Sequence, residues 1–132
     1  MAGTLTISTL SDGTNSTSST NCIKGSAKAW CQFGISGTTV TINKSYNISS
    51  VTRTAAGYYT TAFTNNLADN QYAVSGCASI NTVGTLFLWF SPFSYGTSPF
   101  YSAPTTSGFA FATTGQTGAQ NDPVLTSFSV FD

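Results

Sequence analysis

Histidine and glutamate are missing from this chain altogether, and charge of either sign is scarce. Four basic residues (Lys24, Lys28, Lys44 and Arg53) stand against four aspartates (Asp12, Asp69, Asp122 and Asp132) in 132 residues. Without histidine there is no His-based catalytic triad and no His metal site. Without a basic excess, a nucleic-acid phosphate backbone is not an expected partner. Long exposed helices are not expected either, because their wet faces normally carry Glu, Lys and Arg. Cysteine is limited to Cys22, Cys31 and Cys77, an odd number with no CxxC pair, so a zinc site is not expected. The start "MAGTLTISTLSDG" lacks the basic residues and apolar run of a secretion signal. The expectation is therefore a chain made in a cytoplasm with reduced thiols, Cys31 and Cys77 being small core residues. The longest apolar run, "LFLWF" at 86–90, is far too short to span a bilayer, so no membrane role is expected. The N-x-S/T triplets at Asn15, Asn43 and Asn47 are given no role.

Serine and threonine supply the polarity instead. The length suggests one domain with room for a core. A surface with few charges and a formal net charge of zero suits life inside an assembly. Residues 1–25 are read as an extended N-terminal arm. "TLTISTL" alternates Leu5 and Ile7 with polar residues, and Leu10 follows. "SDGTNSTSSTN" then has no apolar residue, so it should be ordered only along a neighbouring chain.

From 26 to 132 the texture changes to short alternating segments separated by turn signals. "AKAWCQF" sets Ala27, Ala29, Cys31 and Phe33 on one face and Lys28, Trp30 and Gln32 on the other. If the first face is core, Trp30 lies outside, against the arm or a neighbouring subunit. "TTVTI", "KSYNISSV", "YYTTAF", "QYAVSGCASI", "TLFLWF", "GFAFATT" and "VLTSFSVF" complete about eight strands. "TAAG" reads as a hairpin loop, with Gly57 free to take positive φ. This spacing predicts an all-β fold, an antiparallel sandwich (jelly-roll-like) behind the arm.

The four aspartates lie in turns or at the terminus, where such side chains usually bond nearby backbone. No catalytic residue and no cofactor are expected. Seven of the eighteen aromatics crowd into "GTLFLWFSPFSYGTSPFYSAP", residues 84–104. Core strand, ligand platform and subunit contact all fit. As a contact between copies of the chain the residues would be Phe87, Trp89, Phe93, Tyr95, Phe100 and Tyr101. As a glycan platform they would be Trp89, Tyr95 and Tyr101, whose rings can stack on sugar faces.

The stretch "GSAKAWCQF…VTINKSYNISSVTRTAAGYYTTAFTNNLADNQYAVSGCAS", residues 25–79, resembles a family of short β-domains from virion proteins of tailed bacteriophages, cyanophages and marine phages especially. The KAW opening, the "SYNISSV" strand, the Gly hairpin and "YAVSG" occur in that order. The second half departs, its aromatic stretch replacing a more polar segment. The resemblance implies a β-sandwich virion structural protein, commonly a homotrimer, with no catalytic residues to carry over. A capsid cement (decoration) protein is the first expectation, its partners being itself and the major capsid protein or another virion protein. Leu5, Ile7 and Leu10 would then anchor it to the particle. A tail-fibre or tailspike tip subunit contacting a host surface glycan comes second, a free lectin third and a small glycan hydrolase last.

Overall fold

A computed structural model describes residues 3, 6–79, 89–92, 102–115 and 120–132, with 20, 21, 24 and 89–92 described by backbone alone. Eight strands form two four-stranded antiparallel sheets packed face to face, an all-β sandwich. The first sheet has the order β4 (Thr39–Tyr46), β3 (Ala29–Ser36), β10 (Leu125–Phe131), β7 (Ala73–Ser79). The second runs β5 (Ile48–Ala55), β6 (Tyr58–Phe63), β9 (Gly108–Thr114), β8 (Trp89–Pro92). β3–β4 and β5–β6 are hairpins, whereas β10 returns to lie between β3 and β7, so the two chain halves are interleaved.

Alternation sorts the side chains. Along β3, Ala29, Cys31 and Phe33 are buried while Trp30 and Gln32 face out. Along β10, Thr126, Phe128 and Val130 are buried between outward Leu125, Ser127, Ser129 and Phe131. Along β6, Tyr59, Thr61 and Phe63 face the core. The core is built on rings: Phe33 and Phe128 from one sheet meet Tyr59, Phe109 and Phe111 from the other. Tyr59 and Phe111 stack at 5.1 Å, while Phe109 and Phe128 meet edge to face at 5.4 Å. Both arrangements suit the ring quadrupole. β9 lies between two neighbours and is buried along both sides, Ala110 and Ala112 included. Among the described strands β8 is a sheet edge, the position where a proline such as Pro92 is tolerated.

Two sequence expectations change. "KSYNISSV" is not one strand. It breaks at Asn47, which takes φ 54°, a conformation Asn tolerates better than most residues. The chain changes sheet there, leaving Tyr46 58% exposed and Ile48 7% exposed. The Asn47 side chain secures the corner: its amide donates to the carbonyls of Lys28 and Asn65, and its Oδ1 accepts from Asn65 N–H. That amide nitrogen is therefore in use, which argues against sugar attachment at the triplet.

The polar stretch after Ser11 also has regular structure. β1 (Thr9–Ser11) and β2 (Ser16–Ser18) form a hairpin, followed by a seven-residue helix, α1 (Ser19–Gly25). The Asp12 carboxylate accepts from Thr14 N–H at 2.9 Å and Asn15 N–H at 2.7 Å. This local turn orders the loop without apolar burial, which is why hydropathy alone misses it.

Candidate functional site

The described residues hold two constellations that could matter. The first is centred on Asp122. Arg53 forks onto it, Nε at 3.0 Å from Oδ1 and 2.9 Å from Oδ2, with a terminal nitrogen 2.8 Å from Oδ2. Gly57 N–H donates to Oδ1 at 2.9 Å, and the buried Tyr59 hydroxyl donates to the same oxygen. Next to it Thr113 Oγ1 donates to Asn121 C=O at 2.6 Å.

The β5–β6 turn makes this possible. Gly57 takes φ 72° in the hairpin loop, as its sequence context predicts. A Cβ there would also meet Asn121 N and Thr113 O, both at 2.7 Å, so glycine serves the close approach as well as the turn. Asp122 is thus not a local turn residue, as the sequence suggests. It clasps the segment before β10 to the β5–β6 hairpin, across 65 to 69 positions of chain. Burial pushes its carboxyl up, but Arg53, Gly57 N–H and Tyr59 outweigh this and hold it below the ordinary value of 3.8. Burial, then the neighbouring carboxylate, push the Tyr59 phenol well up, so it stays an O–H donor. A carboxylate with both oxygens occupied by such donors is a structural clasp.

The clasp makes stability acid-sensitive. A carboxylate with a depressed folded-state pKa stabilises fully above its unfolded value and loses that contribution as pH falls through the folded value. Asp122→Asn should cost about 1–2 kcal/mol at pH 7, the lower range for a charged clasp still partly wetted. The gap between wild type and variant should narrow below about pH 4, where the unfolded aspartate also protonates. Urea midpoints measured from neutral to acid pH check this; a gap independent of pH would show that the carboxylate is not clasped in solution.

The second constellation is the outer face of the β4-β3-β10-β7 sheet. Register places Tyr46 beside Trp30, Ser129 and Ser75 in one row, and Lys44 beside Gln32, Ser127 and Cys77 in the next. Directly paired residues share a face. The bulge after Gln32 puts Lys44 in this row, because simple alternation from Ile42, which packs against the core, would turn it inward. Trp30 is 38% exposed, on the outer side as its alternation predicts. Its sequence neighbour Lys28 lies before β3, and its Nζ contacts Ile23 C=O of α1. An open cleft of about 280 Å³ is lined by Trp30, Gln32, Lys44, Ser127 and Ser129, bounded by Cys31 and Phe128.

Cys31 is buried, which pushes its thiol up to about 11 and keeps it protonated. Cys77 is exposed on the outer face, correcting the expectation that it packs in the core. β7 presents it on the same side as Ser127, away from Phe128. Among the described residues no three His, Cys, Asp or Glu side chains gather as metal ligands. No described helix is long and apolar enough to cross a membrane.

Of the anchor residues read from sequence, Ile7 and Leu10 are exposed, at 38% and 51%, and Leu5 lies outside the described residues. The Phe87, Phe93, Tyr95, Phe100 and Tyr101 assignments, as interface or glycan contact, also lie outside them. Trp89 opens β8, paired with Thr114, its side chain undescribed. Sequence reasoning did not join Arg53 to Asp122, nor Tyr46 to Trp30. Each partner was visible singly; only the register brings them together.

Fold and faces thus define an all-β sandwich with a clasped rear loop and one aromatic, polar sheet face. Comparison with protein-family models, curated proteins and solved structures gives no match.

Proposed function

We propose that this chain is a structural protein of a tailed-bacteriophage virion, a homotrimeric cement or decoration protein on the outer shell. The resemblance over residues 25–79 motivates the class. The observation that carries the anchoring role is a group of three exposed aliphatic side chains on the otherwise polar N-terminal segment. Ile7, Leu10 and Ile23 are 38%, 51% and 64% exposed, and together they line a cleft of about 350 Å³ with Thr6, Ser19 and Cys22. A grouped set of exposed aliphatic side chains marks a contact surface more than an isolated one does. The major capsid protein is the partner that would cover them, while copies of the chain would meet through the aromatic second half.

The test uses the full chain with Leu10→Glu and Ile23→Glu combined, on particles lacking their native copy. The expected result is an unchanged circular dichroism spectrum, retained trimers in sedimentation and lost particle occupancy. Wild-type occupancy of the variant would remove the anchor from these residues. A wild-type protein that sediments only as a monomer at tens of micromolar would remove the trimer.

A further inference from the structure

We infer that the outer face of the β4-β3-β10-β7 sheet is a binding site for a carboxylate-bearing saccharide, such as a uronic or sialic acid within a surface glycan. The inference is independent of where in a particle the chain resides. It assigns glycan contact to Trp30 and Tyr46, not to the aromatic stretch of residues 84–104.

The chemistry of the face leads there. Tyr46 and Trp30 are direct cross-strand partners, both substantially exposed at 58% and 38%. Exposed rings side by side offer an apolar platform on which the C–H face of a sugar can lie. The adjoining row supplies the Gln32 amide and the Ser127 hydroxyl, and Ser129 stands beside Trp30 in the first row, groups that donate and accept to sugar hydroxyls. The cleft lies near the lower end of small-ligand volumes, about 300 Å³, and fits a short piece of a longer chain.

Charge narrows the class. The four strands contain no Asp and no Glu, and their single charged side chain is Lys44. Lys44 lines the cleft and has no ion-pair partner among the described residues. A saccharide carboxylate complements it, and the contact becomes a charge-assisted hydrogen bond. A second copy of this chain is a poorer occupant. Protein interfaces place apolar residues at the centre and polar ones at the rim, with Lys and Ser depleted. Here Lys44, Gln32, Ser127 and Ser129 line the cleft alongside Trp30.

The test is a titration of the full chain with trigalacturonate and 3′-sialyllactose, read by the Trp30 indole N–H resonance, which Trp89→Phe assigns. Fully methyl-esterified trigalacturonate and lactose are the uncharged controls. At least one acidic sugar should shift the indole and the Lys44 and Ser127 amides saturably. Its uncharged control should bind about tenfold more weakly, and Lys44→Gln should reduce the acidic sugar's affinity by a similar factor and abolish its salt dependence. Trp30→Ala should remove binding. Lys44 is exposed, so Lys44→Gln tests the site without threatening the fold. The inference is overturned if neither acidic sugar shifts these signals, if the uncharged sugars bind equally well, or if Lys44→Gln changes nothing. It is also overturned if the same signals shift with protein concentration alone, because a second copy then occupies the face.

Discussion

Gly108→Ala is expected to prevent β6 and β9 from pairing in their native register. Gly108 opens β9 and pairs with Ala62. A Cβ there would stand 2.0 Å from the Thr61 carbonyl oxygen, 3.0 Å from its carbon and 3.2 Å from Ala62 Cα. All three are backbone atoms, so no side-chain rotation relieves the clash. Glycine is needed here for close approach, not for an unusual φ. The same residue collects other contacts. Its carbonyl lies 2.9 Å from the Tyr72 hydroxyl and 3.0 Å from Thr105 Oγ1, and its N–H donates to Thr105 C=O. Moving Gly108 to make room therefore disturbs the turn before β9 and the Tyr72 contact together. Overpacking costs about 1–3 kcal/mol where side chains can yield, and more is expected where only backbone can. Set against a total stability of about 5–15 kcal/mol, this should leave the variant largely unfolded or insoluble at 37 °C. Urea unfolding of any soluble fraction supplies the measurement. A midpoint equal to wild type would mean the two strands are farther apart than described.

Phe111→Ala should be the most costly change in the core. The ring is 1% exposed and meets Tyr59, Phe33, Phe109 and Phe128 with centroids 5.1–6.1 Å away. It therefore bridges both sheets. Truncating a buried phenylalanine costs about 3–5 kcal/mol, since transfer energy is lost and a cavity remains. Tyr59 would lose its stacking partner while its hydroxyl still holds Asp122. Phe111→Ala and Asp122→Asn should consequently be non-additive, with a coupling of about 0.5 kcal/mol or more. Chemical denaturation of both single variants and the double variant measures it. A cost for Phe111→Ala below about 1.5 kcal/mol would show that neighbouring rings refill the space.

The sequence by itself determined the β class, most strand positions and which side of each strand faces inward. Strand periodicity is local: Ala29, Cys31 and Phe33, or Thr126, Phe128 and Val130, declare the buried face through spacing alone. The Gly57 turn was legible for the same reason, because positive φ is a demand on one residue. What only the tertiary structure decided is everything that depends on register between distant segments. Asp122 looked like a turn residue because its donors, Arg53, Gly57 and Tyr59, lie more than sixty positions earlier. Cys77 looked like core because its exposure depends on which side β7 turns toward β10. Tyr46 and Ile48 looked like one strand because the corner at Asn47 is held by Asn65 and Lys28, contacts that no local pattern encodes. The Trp30–Tyr46 and Lys44–Gln32 pairs follow the same rule. Side-chain alternation puts each residue on a face, but cross-strand pairing, set by the packing of the whole sheet, makes neighbours of them.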